Sequence, residues 1–330
     1  MKRWLAFLGL LSCFFILAGC EKNKITEVKV SEVTHSVFYA PFYIAVNQGF
    51  FHDEGIKLDL TTAQGADKVM TAVLANQADI GFMGPEAAMY VYQQGKEDYV
   101  QIFAQVTKRD GSFLVAKKPA SAFSWEEVRG KKIIGGRVGG VPEMTLEYVL
   151  QKNGLKPGRD VNVDTSIQFA LMAGAFTGGT YDYVTLFEPA ATVLEAAKKG
   201  YVVTSIGKES GEIPYTVFTA KKSFLHKNPE LIQKFTNALY RGQLWAAKHT
   251  PEEIAKVVAP SFPDTDMKIL VKVIQRYQEI DAWSGNPVLD KKPFFRLQHV
   301  MALAGQLEQQ TPFEQLVDNR FAEQAIKTIR

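Results

Sequence analysis

Three glutamates, Glu86, Glu143 and Glu188, each stand beside a proline at an expected helix start, within Gly84-Pro85-Glu86, Val141-Pro142-Glu143 and Phe187-Glu188-Pro189. A helix N-terminus offers free backbone N–H groups and the positive end of its dipole, so local capping is one role for such a carboxylate. Convergence on one cleft is the other. Three carboxylates together disfavour an anion and accept hydrogen bonds from an amino-bearing or cationic solute. Arg109 and Arg137 offer the opposite chemistry, because a planar guanidinium such as Arg137 in Gly135-Gly136-Arg137-Val138-Gly139-Gly140 can clamp a sulfonate or phosphate, unless it is only a solvated loop charge. Phe38, Tyr39 and Tyr43 are candidates for stacking on a flat ring, against the alternative that aromatic residues at a helix start belong to the core. Tyr39 is preferred, since its hydroxyl can stay wet while the ring packs. Ser36, Gln64, Gly84, Pro85, Thr107, Gly139 and Gly140 complete the candidate ligand-binding set, the glycine pair by allowing close backbone approach. The Gly139-Gly140 run lacks the Gly-Lys-Ser/Thr ending of a phosphate loop, which disfavours a nucleoside triphosphate.

Catalytic constellations are weak. The five histidines, His35, His52, His226, His249 and His299, show no His-x-x-x-His spacing, and no Gly-x-Ser-x-Gly elbow accompanies them. Only His35 lies beside the expected cleft. The two cysteines, Cys13 and Cys20, both fall in the first twenty residues, so the remainder of the chain has no thiol for a disulfide, a zinc site or a nucleophile. No metal, cofactor or catalytic residue is expected.

The elements that must position these residues alternate. Val28 to Val33, Ile56 to Leu60, Val100 to Gln105 and Lys131 to Gly135 read as strands, and the intervening segments carry helical periodicity. Strands alternating with helices imply mostly parallel sheets covered on both faces. A weak internal repeat divides the chain. Gln64-Gly65-Ala66 opens a helix that leads to the strand-like Ala78 to Phe82 and the turn Gly84-Pro85-Glu86-Ala87-Ala88; about a hundred residues later Gln168-Phe169-Ala170 leads to Tyr181 to Leu186 and Phe187-Glu188-Pro189-Ala190-Ala191. Two related α/β lobes are the expected architecture. Residues 28–111 and 215–330 are assigned to lobe 1 and 112–214 to lobe 2, with crossovers near Arg109-Asp110-Gly111-Ser112 and Glu212-Ile213-Pro214-Tyr215. From Asn228 the chain is helical, with capping boxes at Thr250 to Glu253 and Thr311 to Glu314, and these helices are expected to pack on lobe 1.

The amino terminus carries Lys2 and Arg3, an apolar run from Trp4 to Leu17 and small residues before Cys20, the pattern of an export signal. It is too short for a membrane span. Leu17-Ala18-Gly19-Cys20 resembles the bacterial lipobox, which implies a signal peptide over 1–19, lipidation at Cys20, a tether over 20–27 and attachment to the outer face of the cell membrane. The chain after the signal carries 36 basic and 35 acidic residues, a balance of +1 that leaves no electrostatic footprint for nucleic acid.

Phe38-Tyr39-Ala40-Pro41-Phe42-Tyr43-Ile44-Ala45, Gly49 to Ile56, Ala78-Asp79-Ile80-Gly81-Phe82-Met83-Gly84-Pro85 and Phe187-Glu188-Pro189, in that order, resemble the solute-binding proteins of bacterial ABC importers for sulfonates, taurine, nitrate and thiamine pyrimidine precursors. The resemblance runs from about Val28 to His249. It implies the two-lobed type II periplasmic-binding fold, with a small solute held between the lobes and delivered to an ABC permease and its ATPase by a monomeric receptor. In open α/β sheets ligands sit beyond the carboxyl ends of strands, and the candidate residues fall at such places. The carboxylates lean the expectation toward a heteroaromatic solute of the thiamine-pyrimidine kind, with an aliphatic sulfonate, taurine or nitrate as the alternative. A thiamine-pyrimidine synthase-like enzyme is disfavoured, because that relative carries a cysteine-rich segment which this chain lacks.

Overall fold

The computed structural model describes residues 25–329. The signal peptide over 1–19 and the lipidated Cys20 lie outside the described residues. The expected tether ends earlier than residue 27, because Thr26 already pairs with Ile56 in the first sheet.

Ten strands are described: β1 Thr26–Glu32, β2 Ile56–Thr62, β3 Ile80–Met83, β4 Val100–Thr107, β5 Phe113–Ala116, β6 Lys132–Ile134, β7 Asn162–Asp164, β8 Tyr183–Leu186, β9 Tyr201–Ser205 and β10 Thr216–Lys221. They form two five-stranded sheets, ordered β2-β1-β3-β10-β4 and β7-β6-β8-β5-β9. The two orders are one pattern used twice. In each, four strands run in one direction, three of them adjacent, and β10 or β5 runs antiparallel to both its neighbours. Both sheets are therefore mixed rather than simply parallel. The antiparallel strand is the first one after each crossover, where the chain enters a sheet from the opposite end.

The pairing explains the sequence repeat. β3 is followed by Gly84-Pro85-Glu86 and β8 by Phe187-Glu188-Pro189, so the two turns occupy equivalent carboxyl ends of equivalent strands. Continuous burial of β3, β4, β5 and β8 accounts for their largely apolar sequences.

The crossovers lie side by side between the sheets. Tyr215 N donates to Thr107 O at 3.1 Å and Ile213 N to Lys108 O at 3.0 Å, which braces the two strands of the hinge against each other, and Ile206 N of lobe two donates to Ser112 O at 3.1 Å. The C-terminal helices depart from expectation by touching both lobes. Pro229–Lys248 packs on Ala40–Asn47 of the first lobe, but Met267–Glu279 meets Ala190–Ala196 and Lys291–Leu303 meets Val141–Lys152, both in the second. Polar anchoring drives this: Arg276 reaches Glu188 at 2.8 Å and Arg296 donates to Glu212 O at 3.0 Å. The capping box forms at Thr250 but not at Thr311, whose backbone N–H is taken by Gln298 Oε1 at 2.6 Å.

Candidate functional site

Ser36 ends the loop after β1 and caps the turn Val37–Tyr39, its hydroxyl oxygen accepting from Phe38 N at 3.2 Å. The turn directs Phe38 and Tyr39 inward rather than into solvent. Phe38 is enclosed by the rings of Tyr39, Phe187, Tyr215 and Tyr277 at 5.1 to 5.6 Å, and Gly111 lies so close that a Cβ there would stand 2.5 Å from the ring. It is an aromatic pivot between lobes and hinge, not a free stacking surface. Tyr39 packs at 4.5 Å on Phe82, and its hydroxyl is dry: burial raises it well above the usual phenol range.

Glu86 opens the helix Glu86–Gln93 behind β3. Its carboxyl folds back over Gly84, where a Cβ would meet Oε2 at 2.0 Å, so glycine is required for this arrangement. The residue is 3% exposed, and Oε2 has no hydrogen-bond partner in the protein. Burial pushes the carboxyl up to about 7, with the nearby Arg137 pulling the other way. A buried acceptor left in this state costs about 1–3 kcal/mol unless something donates to it.

The hinge contributes a second set. Asp110 is fully buried; Oδ1 accepts from Ser112 N and Ser112 Oγ, both at 2.6 Å, whereas Oδ2 is unpartnered, and burial raises the carboxyl to about 7. The Tyr215 hydroxyl from the second crossover lies near it, also buried and without a partner that meets hydrogen-bond geometry. Thr107, at the end of β4, is buried with its hydroxyl unpartnered. Arg109 is turned to the hinge surface, 3.6 Å from both Glu212 and Asp281.

Lobe two supplies Arg137, Gly139, Gly140 and Glu143 from the loop after β6 and the helix Val141–Lys152. Glu143 Oε2 accepts from Gly139 N at 3.2 Å, and burial, then the neighbouring Glu147, lifts Glu143 to about 7. Gly139 O accepts from the Tyr90 hydroxyl of lobe one at 3.0 Å, and Arg137 lies 3.4 Å from Asp67 of lobe one. Both are contacts across the interlobe gap. Arg137 is an exposed interlobe ion-pair partner.

Glu188 is likewise committed elsewhere. Its Oε2 accepts from Thr192 N at 2.9 Å and its Oε1 from Thr192 Oγ1 and Arg276 Nη1, both at 2.8 Å, so capping and ion pairing use its acceptor capacity. Gln64 is exposed, with a left-handed backbone at φ 61°. His35 is tied down rather than free: Nδ1 meets Glu32 Oε1 at 3.0 Å and the Tyr43 hydroxyl at 2.9 Å, and Nε2 meets Ser261 O at 2.7 Å.

Of the expected residues, Ser36, Tyr39, Glu86, Thr107 and Glu143 are buried, Gln64 is exposed, Arg109 and Arg137 lie at the hinge and the interlobe gap in ion pairs, and Glu188 is bonded to Thr192 and Arg276. Sequence reasoning passed over Asp110, Tyr215 and Tyr90. The first two stood in the segments recognised as crossovers, and an acid and a phenol at chain crossings were the available signal. Among the described residues no group of three or more His, Cys, Asp or Glu could hold a metal, and no helix is long and apolar enough to cross a membrane.

Residues 22–259 match the NMT1-like family. The chain is 43% identical over 328 residues to "Putative binding protein YtlA" of Bacillus subtilis (strain 168), covering 98% of each. Its fold matches the alkanesulfonate-binding protein SsuA from Xanthomonas axonopodis pv. citri bound to MOPS, with TM-score 0.71 at 13% identity over 89% of this chain and 98% of that one. It also matches the periplasmic nitrate-binding protein NrtA from Synechocystis PCC 6803, with TM-score 0.72 at 14% identity over 93% of this chain and 90% of that one. The two mixed sheets with flanking helices are the periplasmic-binding-protein fold.

Proposed function

The chain belongs to the NMT1-like family, and from that premise we propose that it is the extracytoplasmic receptor of an ABC importer, binding one small organic solute between its lobes. The solute is an amino-bearing heteroaromatic of the thiamine-pyrimidine kind. The receptor acts without catalysis, hands its solute to a permease driven by an ATPase, and is held to the membrane by lipid on Cys20. One observation carries the solute class: Glu86 is buried at the carboxyl end of β3 with Oε2 unpartnered, which favours a solute that donates a hydrogen bond. Asp110 and Glu143 are buried carboxyls as well. A sulfonate or nitrate reading draws on what the two structural neighbours bind. It is the weaker one here, because Arg109 and Arg137 are both engaged with carboxylates.

The full-length chain in detergent should melt higher with an aminopyrimidine and unchanged with taurine, nitrate or alkanesulfonates. Ligand at a hundredfold excess over Kd stabilises by about 2.7 kcal/mol. Glu86→Gln should weaken aminopyrimidine binding by about 1–3 kcal/mol in calorimetric titration, without lowering the melting temperature. Stabilisation by a sulfonate alone would overturn the solute class, and turnover of any of these compounds would overturn the receptor.

A further inference from the structure

His35 has an acceptor at each ring nitrogen: Nδ1 lies 3.0 Å from Glu32 Oε1, and Nε2 lies 2.7 Å from Ser261 O. A neutral imidazole carries one N–H and satisfies only one of them, whereas the imidazolium donates to both. The Tyr43 hydroxyl is 2.9 Å from Nδ1, but it donates to Glu32 Oε2, while Thr62 Oγ1 donates to Glu32 Oε1 at 2.9 Å. Turning Tyr43 toward Nδ1 would take a donor from a carboxylate whose side chain is 1% exposed. Every hydrogen bond of the cluster is therefore made only when the ring is charged. Among the described residues, Glu32 of β1 and Tyr43 of the helix Ala40–Asn47 are the titratable groups in contact with the ring. The third wall, Ala259–Ser261 with Phe262, supplies the Ser261 carbonyl and a phenyl ring 4.8 Å from the imidazole.

These contacts join distant parts of the chain. His35 follows β1 and adjoins Ser36, whose hydroxyl caps the turn Val37–Tyr39. Ser261 ends the short turn after the helix Pro251–Val258. Asn47 Nδ2 donates to Val257 O at 2.9 Å and Ser261 Oγ at 3.0 Å, so the segment stays beside His35 whatever the charge on the ring. From the other side, Trp283 Nε1 donates to Phe38 O at 2.9 Å and holds the capped turn.

We propose that His35 is a proton-operated latch: as the imidazolium it ties Ala259–Ser261 to the carboxyl end of β1 and fixes the turn Val37–Tyr39, and on losing its proton it gives up one of its two bonds. Phe38 in that turn packs 5.6 Å from both Phe187 of lobe two and Tyr215 of the second crossover, so the latch bears on the contact between lobes. Its sign follows from charge. The hydrogen bond to Glu32 raises the ring above its ordinary 6.5 against the opposing effect of partial burial. The latch is closed below 6.5 and opens as pH rises through the higher folded value. It holds whatever the solute is.

The test is an NMR titration of the full-length chain in detergent, without solute, isotopically labelled at histidine and tryptophan nitrogens. One histidine, missing from the spectrum of His35→Phe, should keep both ring nitrogens protonated at about pH 6.5, where an unperturbed ring is half charged. The Trp283 indole N–H signal should shift with the midpoint of that ring. Amide exchange over residues 254–262, corrected for its intrinsic pH dependence, should quicken about two- to tenfold as the proton leaves, the effect of one net hydrogen bond. His35→Phe keeps an aromatic ring against Phe262 and Tyr43 and should make both readouts independent of pH. Glu32→Gln keeps an acceptor but removes the charge, and should bring the His35 midpoint to 6.5 or lower. A His35 ring with a single proton at about pH 6 would overturn the latch. So would a Trp283 titration that survives in His35→Phe, or a ring that titrates as expected while the Trp283 signal and amide exchange stay constant. Should Glu32→Gln fail to fold, wild type and His35→Phe decide the matter, since the His35 side chain is 41% exposed and tolerates replacement.

Discussion

Glu86, Asp110 and Glu143 share one predicament: each is a carboxyl lifted to about 7, chiefly by burial, from ordinary values of 4.5, 3.8 and 4.5. An acid whose folded pKa is raised favours the folded state fully below its unfolded pKa, and that contribution is lost as pH rises through the folded value. Three such groups act together between about pH 4 and 7. His35, raised by its bond to Glu32, works in the same direction, since its stabilisation is present below 6.5 and fades above it. Asp160, held at about 2 by Arg159, and Glu195, lowered despite its burial by Lys272, Val202 N–H and Arg276, act oppositely, but only as the medium becomes strongly acidic. Melting temperature without solute should therefore be higher at pH 5 than at pH 8, and Glu86→Gln should reduce that difference. A melting temperature that rises between pH 5 and pH 8 would show that these carboxyls are ionised and paired in the folded state.

At the scale of elements, the candidate site draws on strand ends, and these were the most legible part of the sequence. The ordered repeat ending in Gly84-Pro85-Glu86 and Phe187-Glu188-Pro189 corresponds to β3 and β8 in equivalent sheet positions. The same likeness does not extend to side-chain partners, because equivalent turns need not have equivalent neighbours. Glu86 begins its helix and keeps a free oxygen, whereas Glu188 precedes its proline and meets Arg276, 88 residues further along. No local spacing encodes that contact, nor the antiparallel strand after each crossover. Its energetic weight can be measured. Glu188 is 0% and Arg276 16% exposed in their side chains, so Arg276→Ala leaves a buried carboxylate without its cation, and removal of one such partner costs about 3–5 kcal/mol. Urea unfolding should show a loss of that order for Arg276→Ala and a smaller one for Arg276→Ala combined with Glu188→Gln, in which no charge is stranded. A loss below 1 kcal/mol for the single variant would mean that the helix Met267–Glu279 is held on lobe two by its apolar contacts instead.

For the molecule as a whole, the question is what holds the lobes together over a solute. Across the mouth, the Tyr90 hydroxyl donates to Gly139 O at 3.0 Å and Arg137 meets Asp67 at 3.4 Å. Neither contact is strong. Net hydrogen bonds contribute about 0.5–1.5 kcal/mol, and exposed ion pairs about 0–1 kcal/mol; Arg137 and Asp67 are 55% and 60% exposed in their side chains. On the proposed reading, closure is then stabilised mainly by the solute itself. Tyr90→Phe should accordingly raise Kd by roughly two- to tenfold, and stopped-flow dissociation should locate that change in the off-rate, where altered interfaces usually express it. Arg137→Ala should move Kd by no more than about fivefold and should lose even that effect in high salt. The same variant separates the two solute classes: a guanidinium that clamped a sulfonate in a closed site would be worth about 2–5 kcal/mol, and its loss would raise Kd thirtyfold or more. A drop of that size, persisting at high salt, would show that Arg137 leaves Asp67 to grip an anion, and the acidic walls of the cleft would then need another explanation.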